Sequence, residues 1–211
     1  MKITIIHFMI CFLCCCSSNN TTRRAIYDSI FQNEEIIQLR NIEQNFYKLV
    51  SANYPSEDTI TSLQKLFDCI EDDQLKESNY HHYISCLNES EFINLYHDIK
   101  KLEIYNQIWT PSSYYDPKTK EILGYDLDYN ESGKYFKYLE FLYNENPEKY
   151  PYYKSIVLVG GGMIPPTFYT GLDKYVITYF NEPDYKLVGA IHYLTIIFNE
   201  LADENLLDFN D

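Results

Sequence analysis

Residues 184–203 read DYKLVGAIHYLTIIFNELAD. Leu187, Ile191, Leu194, Phe198 and Leu201 recur at spacings of three and four, which puts them on one stripe of an α-helix. Ile196 and Ile197 widen that stripe. Pro183 and Asp184 suit the first turn, where proline loses no needed N–H and a carboxylate meets the positive end of the helix dipole. A helix this apolar belongs at the centre of a core. Lys186, His192 and the polar ends make it a poor membrane span.

Outward from this helix the same period recurs. Residues 24–52 read as helix, with apolar positions at Ile26, Ile30, Ile37, Leu39, Ile42, Phe46 and Leu49. The apolar face shifts near Gln32–Glu35, which implies a kink or two helices. Asn53-Tyr54-Pro55 stops it, and Ser56 is the expected cap of a second helix carrying Ile60, Leu63, Phe67 and Ile70. Residues 76–87 fit no single pattern. Asn88 or Ser90 opens the next helix, with Phe92, Leu95, Tyr96, Ile99 and Leu102 on one face. Residues 133–143 read as another.

Between these helices the character changes. Thr110-Pro111-Ser112-Ser113-Tyr114-Tyr115-Asp116-Pro117 reads as turn chemistry, and residues 121–129 alternate as a strand or an ordered loop. The fold class expected is therefore mostly α, a single-domain helical array over residues 24–211 with one short β-hairpin or strand pair around residues 120–130.

The amino terminus carries an address. Lys2 precedes an apolar stretch from Ile3 to Leu13, eleven residues against the roughly 20 needed to cross a bilayer as a helix. Such a run behind a positive start reads as a cleaved secretory leader. Leu13-Cys14-Cys15-Cys16 resembles the lipobox of bacterial lipoprotein precursors, with Cys in places where Ala, Ser or Gly is commoner. The resemblance implies a signal peptide over residues 1–15 and a diacylglycerol on the Cys16 thiol, since Leu13 then sits at the −3 place. It also implies acylation of the new amino terminus. One acyl chain anchors only marginally, and two or three on one residue supply the rest. Residues 16–23 become the lipidated cysteine and a hydrated tether. The place implied is the cell envelope, facing the periplasm or the cell surface, with plain secretion as the alternative.

Charge narrows the partners. The chain has 17 Lys and Arg against 31 Asp and Glu, a formal net charge of −14. Nucleic-acid binding needs a basic face to displace counterions, so no nucleic-acid partner is expected. Membrane contact is expected only through the lipid, and a basic protein is the partner that this charge attracts. Cys69 and Cys86, 17 apart, are a possible disulfide, because an exported chain meets an oxidising compartment. The 22 Tyr suit an interface or follow from a biased genome.

Catalytic and cofactor signatures are weak. Gly160-Gly161-Gly162 lacks the third place of a dinucleotide loop, the Lys of a phosphate loop and the His of an oxyanion strip, so it reads as a tight turn. Asp126, Asp128 and Asn130 are spaced like the start of a calcium loop, but Glu131 and Lys137 stand where the EF-hand needs Gly and Glu. His81, His82, His97 and His192 form no ligand motif. No cofactor, metal or catalytic residue is assigned.

What remains is residues 109–131, aromatic, loop-rich and net negative. Trp109, Tyr114, Tyr115, Asp116, Tyr125, Asp126, Asp128 and Tyr129 are the candidate partner-binding surface, since aromatic anchors among acids grip a basic protein. The expected function is non-enzymatic binding by a lipid-anchored envelope protein, one version being an immunity-type inhibitor of a basic toxin. The rivals are an envelope hydrolase with a non-contiguous site and a structural or solute-binding lipoprotein.

Overall fold

The computed structural model describes residues 27–76, 82–147 and 178–209. The leader, Cys16 and its tether, and the triple glycine lie outside the described residues. In chain order the elements are α1 Asn33–Asn53, α2 Thr59–Lys76, α3 His82–Ser85, α4 Glu89–Lys100, α5 Tyr105–Ile108, β1 Trp109–Tyr115, β2 Ile122–Tyr129, α6 Lys134–Glu145 and α7 Pro183–Asp203. The protein is mostly α with one antiparallel hairpin, as the sequence periods imply.

Helix α7 is the axis. Leu187, Val188, Ile191, Leu194, Ile197, Phe198 and Leu201 are all buried, so nearly its whole circumference faces protein. Helices α1, α3 and α4 and strand β2 pack on it. Phe46 of α1 stacks on Tyr193, with centroids 6.1 Å apart and planes 7° from parallel. Tyr96 of α4 meets Phe198 edge-on at 5.1 Å. Among the described residues, no helix is long and apolar enough to cross a membrane.

The helix starts follow local chemistry. The chain is helical over residues 27–30 and breaks before α1, where the apolar face shifts. The Gln32 N–H then donates to the Glu35 carboxylate at 2.7 Å and opens α1. Helix α2 corrects the sequence reading. Its capping carboxylate is Asp58, which accepts the Thr61 N–H at 2.8 Å, while Ser56 Oγ donates to the Asp58 carbonyl. Those backbone hydrogen bonds hold the Asp58 carboxyl below its usual range.

Short α3 is held from three sides. The buried Glu200 carboxylate accepts the N–H groups of Tyr83 at 2.8 Å and Ile84 at 3.1 Å. Tyr54 Oη donates to the Cys86 carbonyl at 2.6 Å. Cys86 is disulfide-bonded to Cys69 of α2, with Cα atoms 6.0 Å apart. Closing a loop of 17 residues is worth about 3 kcal/mol on chain-entropy grounds. The bridge joins the middle of α2 to the residue after α3.

Much of the tyrosine is core. Tyr47, Tyr83, Tyr96, Tyr105, Tyr129, Tyr135, Tyr138, Tyr185 and Tyr193 are all buried. Several spend the hydroxyl on a distant partner: Tyr47 Oη donates to the Lys186 carbonyl at 2.9 Å, and Tyr138 Oη to the Asp184 carboxylate.

Candidate functional site

The hairpin is longer than the sequence suggests. Residues 110–115, which read as turn chemistry, are strand β1, paired from Trp109↔Tyr129 to Tyr115↔Ile122 with an irregularity at Tyr114/Tyr115. Strand alternation then sorts the side chains. Trp109, Leu127 and Tyr129 share one face. Thr110, Ser112, Tyr114, Asp126 and Asp128 share the other.

The register also explains Pro111. The Asn130 N–H donates to the Ile108 carbonyl at 2.9 Å, and hydrogen-bonded pairs alternate from there. Pro111 and Leu127 therefore form a non-bonded pair whose backbone groups point outward. Proline has no N–H to waste on that free edge. On the β2 side, the outward Leu127 N–H donates to Asn199 Oδ1 at 2.7 Å, and Asn199 Nδ2 donates to the Leu127 carbonyl at 3.3 Å. A side-chain amide of α7 thus stands where a third strand would be.

Asn199 is one rung of a seam. Along α7, His192, Thr195, Asn199 and Asp203 lie at spacings of three, four and four, one helix face. Tyr129 Oη lies 3.5 Å from His192 Nδ1. Trp109 Nε1 donates to Thr195 Oγ1 at 2.7 Å. Tyr114 Oη donates to Asp203 Oδ1 at 3.4 Å. The helix and the hairpin run side by side, and α7 stops at the rung before the hairpin's end.

The seam divides the sequence-derived surface. Trp109 and Tyr129 are 1% and 3% exposed and belong to the core, because α7 and α6 cover the base of the hairpin. Leu127 joins them. Tyr125 is half-buried against the core. Asp116 is occupied by its own turn: Oδ1 accepts the N–H groups of Lys118 and Thr119, both at 2.7 Å, which holds its carboxyl below the usual range. Lys120 takes a φ of 63° in that turn.

The far end is open. Tyr115 is 52%, Ile122 50% and Leu123 59% exposed, with Tyr114 beside them. Leu206, exposed just past the end of α7, is another large apolar side chain open to solvent. Sequence reasoning missed Ile122, Leu123 and Leu206; the signal available was two adjacent apolar residues after a polar turn. The Tyr114 ring lies across Gly124, where a Cβ would stand 2.3 Å from the tyrosine oxygen. With the ring in that place, only glycine fits beneath it.

Asp126 is the unusual charge. It is 7% exposed, and no ion pair among the described residues reaches it. Burial first, then the nearby carboxylates of Asp203 and Asp128, push its carboxyl up to about 6. The same burial and the Asp203 and Asp126 charges raise the Tyr114 hydroxyl. Asp126 and Asp128 sit on a strand, not in a calcium loop, and Asn130 turns its amide inward to Asn106 and Ser132. Among the described residues, no group of three or more His, Cys, Asp or Glu is placed to hold a metal ion.

His192 is 3% exposed, and burial holds its imidazole neutral down to about pH 3. His97 is exposed on α4, its ring beside Tyr96. No protein-family model, curated protein or solved structure matches this chain.

Proposed function

We propose that this chain is a lipid-anchored cell-envelope protein that works by binding, and that its partner is a basic protein seated on the free end of the hairpin. The observation that carries the reading is the juxtaposition there of exposed Tyr115, Ile122 and Leu123 with Tyr114 and the Asp203 carboxylate it bonds, Asp126 lying further along the same sheet face. Apolar anchors beside uncompensated charge are what a protein interface offers: the anchors supply desolvation, and the charge supplies steering and register. The net charge of −14 extends that attraction beyond contact. Exposed apolar clusters of this kind are uncommon on surfaces without a partner.

Two further features support the location. The Leu13–Cys16 pattern is the lipid-attachment signal, and the Cys69–Cys86 disulfide suits an oxidising compartment. An immunity-type inhibitor, tethered where a basic toxin arrives, is the concrete form of the proposal.

The test is a binding series. Protein expressed from the full sequence is immobilised and challenged with purified basic enzymatic toxins at low and moderate salt. The expected result is one-to-one retention of a basic protein, release at high salt, and loss of retention in a Tyr115→Ser/Leu123→Ser variant. A folded protein that retains none of them, or a double variant that retains them equally, overturns the reading.

A further inference from the structure

Resting on the binding reading above, the geometry points to a more specific site: Asp126, flanked by Asp128 and Asp203 and sharing its sheet face with Tyr114, is a socket for one arginine side chain of the partner. Four observations converge on it. Asp126 is nine-tenths buried and takes no hydrogen bond from the described residues, and its carboxylate is not sealed from solvent, so a cation can reach it. Strand alternation puts Asp126 and Asp128 on the same sheet face as Tyr114. Asp203 comes to that face from α7, fixed by the Tyr114 hydroxyl at 3.4 Å. The outer end of the Tyr114 ring lies against Gly124, an aromatic side chain on the same face as the carboxylates.

A carboxylate mostly taken out of water and left unpaired costs the fold, and a cation that reaches it relieves that cost. The chemistry favours guanidinium. The three carboxylates do not gather as a metal cage does. A planar fork with five donors bridges carboxylates that a point charge does not, and its stem and face lie well along an aromatic ring. The exposed apolar side chains of the hairpin end then border the entrance and seat the residues flanking that arginine.

The experiment is a titration of the full-length protein with the amide acetyl-Tyr-Arg-Leu-NH2, with its lysine counterpart, and with the neutral citrulline counterpart. Binding is read by NMR at the signals of Tyr114, Asp126, Asp128 and Asp203. The expected result at pH 8 is a saturable shift at those signals with the arginine peptide, weaker binding with lysine and none with citrulline. Asp126→Asn weakens the arginine peptide about tenfold, the loss of one charge-assisted hydrogen bond. Binding falls as pH drops through about 6, where Asp126 takes up its proton, with Tyr114, Asp128 and Asp203 the titratable groups facing it. Equal binding of citrulline, or an unchanged affinity in Asp126→Asn, overturns the socket.

The same substitution separates this claim from the one beneath it. A retained basic protein that ignores Asp126→Asn but is lost in Leu123→Ser refutes the socket and leaves the surface standing. One that ignores both refutes the surface.

Discussion

The base and the far end of the hairpin are made of similar residues and meet opposite fates. At the base, Trp109, Leu127 and Tyr129 are sealed against α7 and α6, and each polar group there is matched to the helix seam. At the far end, Tyr114, Tyr115, Ile122 and Leu123 face solvent, and Asp126, partway along, is buried with no ion pair among the described residues. The cause is length. From His192 to Asp203 the helix advances about 16 Å, and from Trp109 to Tyr114 the strand advances about 17 Å. The two keep pace until α7 ends, and every hairpin residue past that point lacks a helix to cover it. An aromatic among acids is thus core or surface according to where a neighbouring element stops.

The largest test of that contrast is Trp109→Ala. It removes a fully buried ring and strands the Thr195 hydroxyl, and should cost about 3–5 kcal/mol in urea denaturation. Next comes Asn199→Ala, which leaves the buried Leu127 N–H and C=O unmet. A loss of about 2 kcal/mol is expected, with faster amide exchange along β2 and little change in α2.

Asp126→Asn should move stability the other way. The folded carboxyl titrates at about 6, above its ordinary 3.8, so between those values the native state binds more protons than the unfolded chain. Stability of the parent therefore falls as pH rises through that window, and the penalty stays constant above it. The variant should be more stable by roughly 1–2 kcal/mol at pH 8, and the two should converge near pH 4. A variant less stable at pH 8 would mean that Asp126 has a structural partner. Smallest of all is Leu123→Ser, expected within about 0.5 kcal/mol of the parent by thermal denaturation. A larger loss would make the far end part of the core.

Much of the helical fold is legible in the sequence because its signal is local. The period of Leu187, Ile191, Leu194, Phe198 and Leu201 marks α7 without knowledge of any neighbour, and the face shift near Gln32–Glu35 marks the start of α1. Strand β1 is not legible. Thr110, Pro111 and two serines are turn formers, and they become a strand only because β2 pairs with one edge and Pro111 points to the other. The candidate site was read in part. Tyr114, Tyr115 and Asp126 lie toward the exposed end, whereas Asp128 sits near the base, Trp109 and Tyr129 are core, and Asp203 comes from a helix end some 80 residues away in the chain.

By itself, then, the sequence determined the long helices but not the short α3 and α5, and with them the central place of α7, the acidic charge and the amino-terminal pattern. Each depends on residues within a few turns of one another or on composition alone. Only the tertiary structure decided which tyrosines are core, that Cys69 and Cys86 come within bonding reach, and that Asp126 is buried with Asp203 beside it. Burial and charge coupling are set by what the rest of the chain brings near a residue, and no period along the chain encodes that distance.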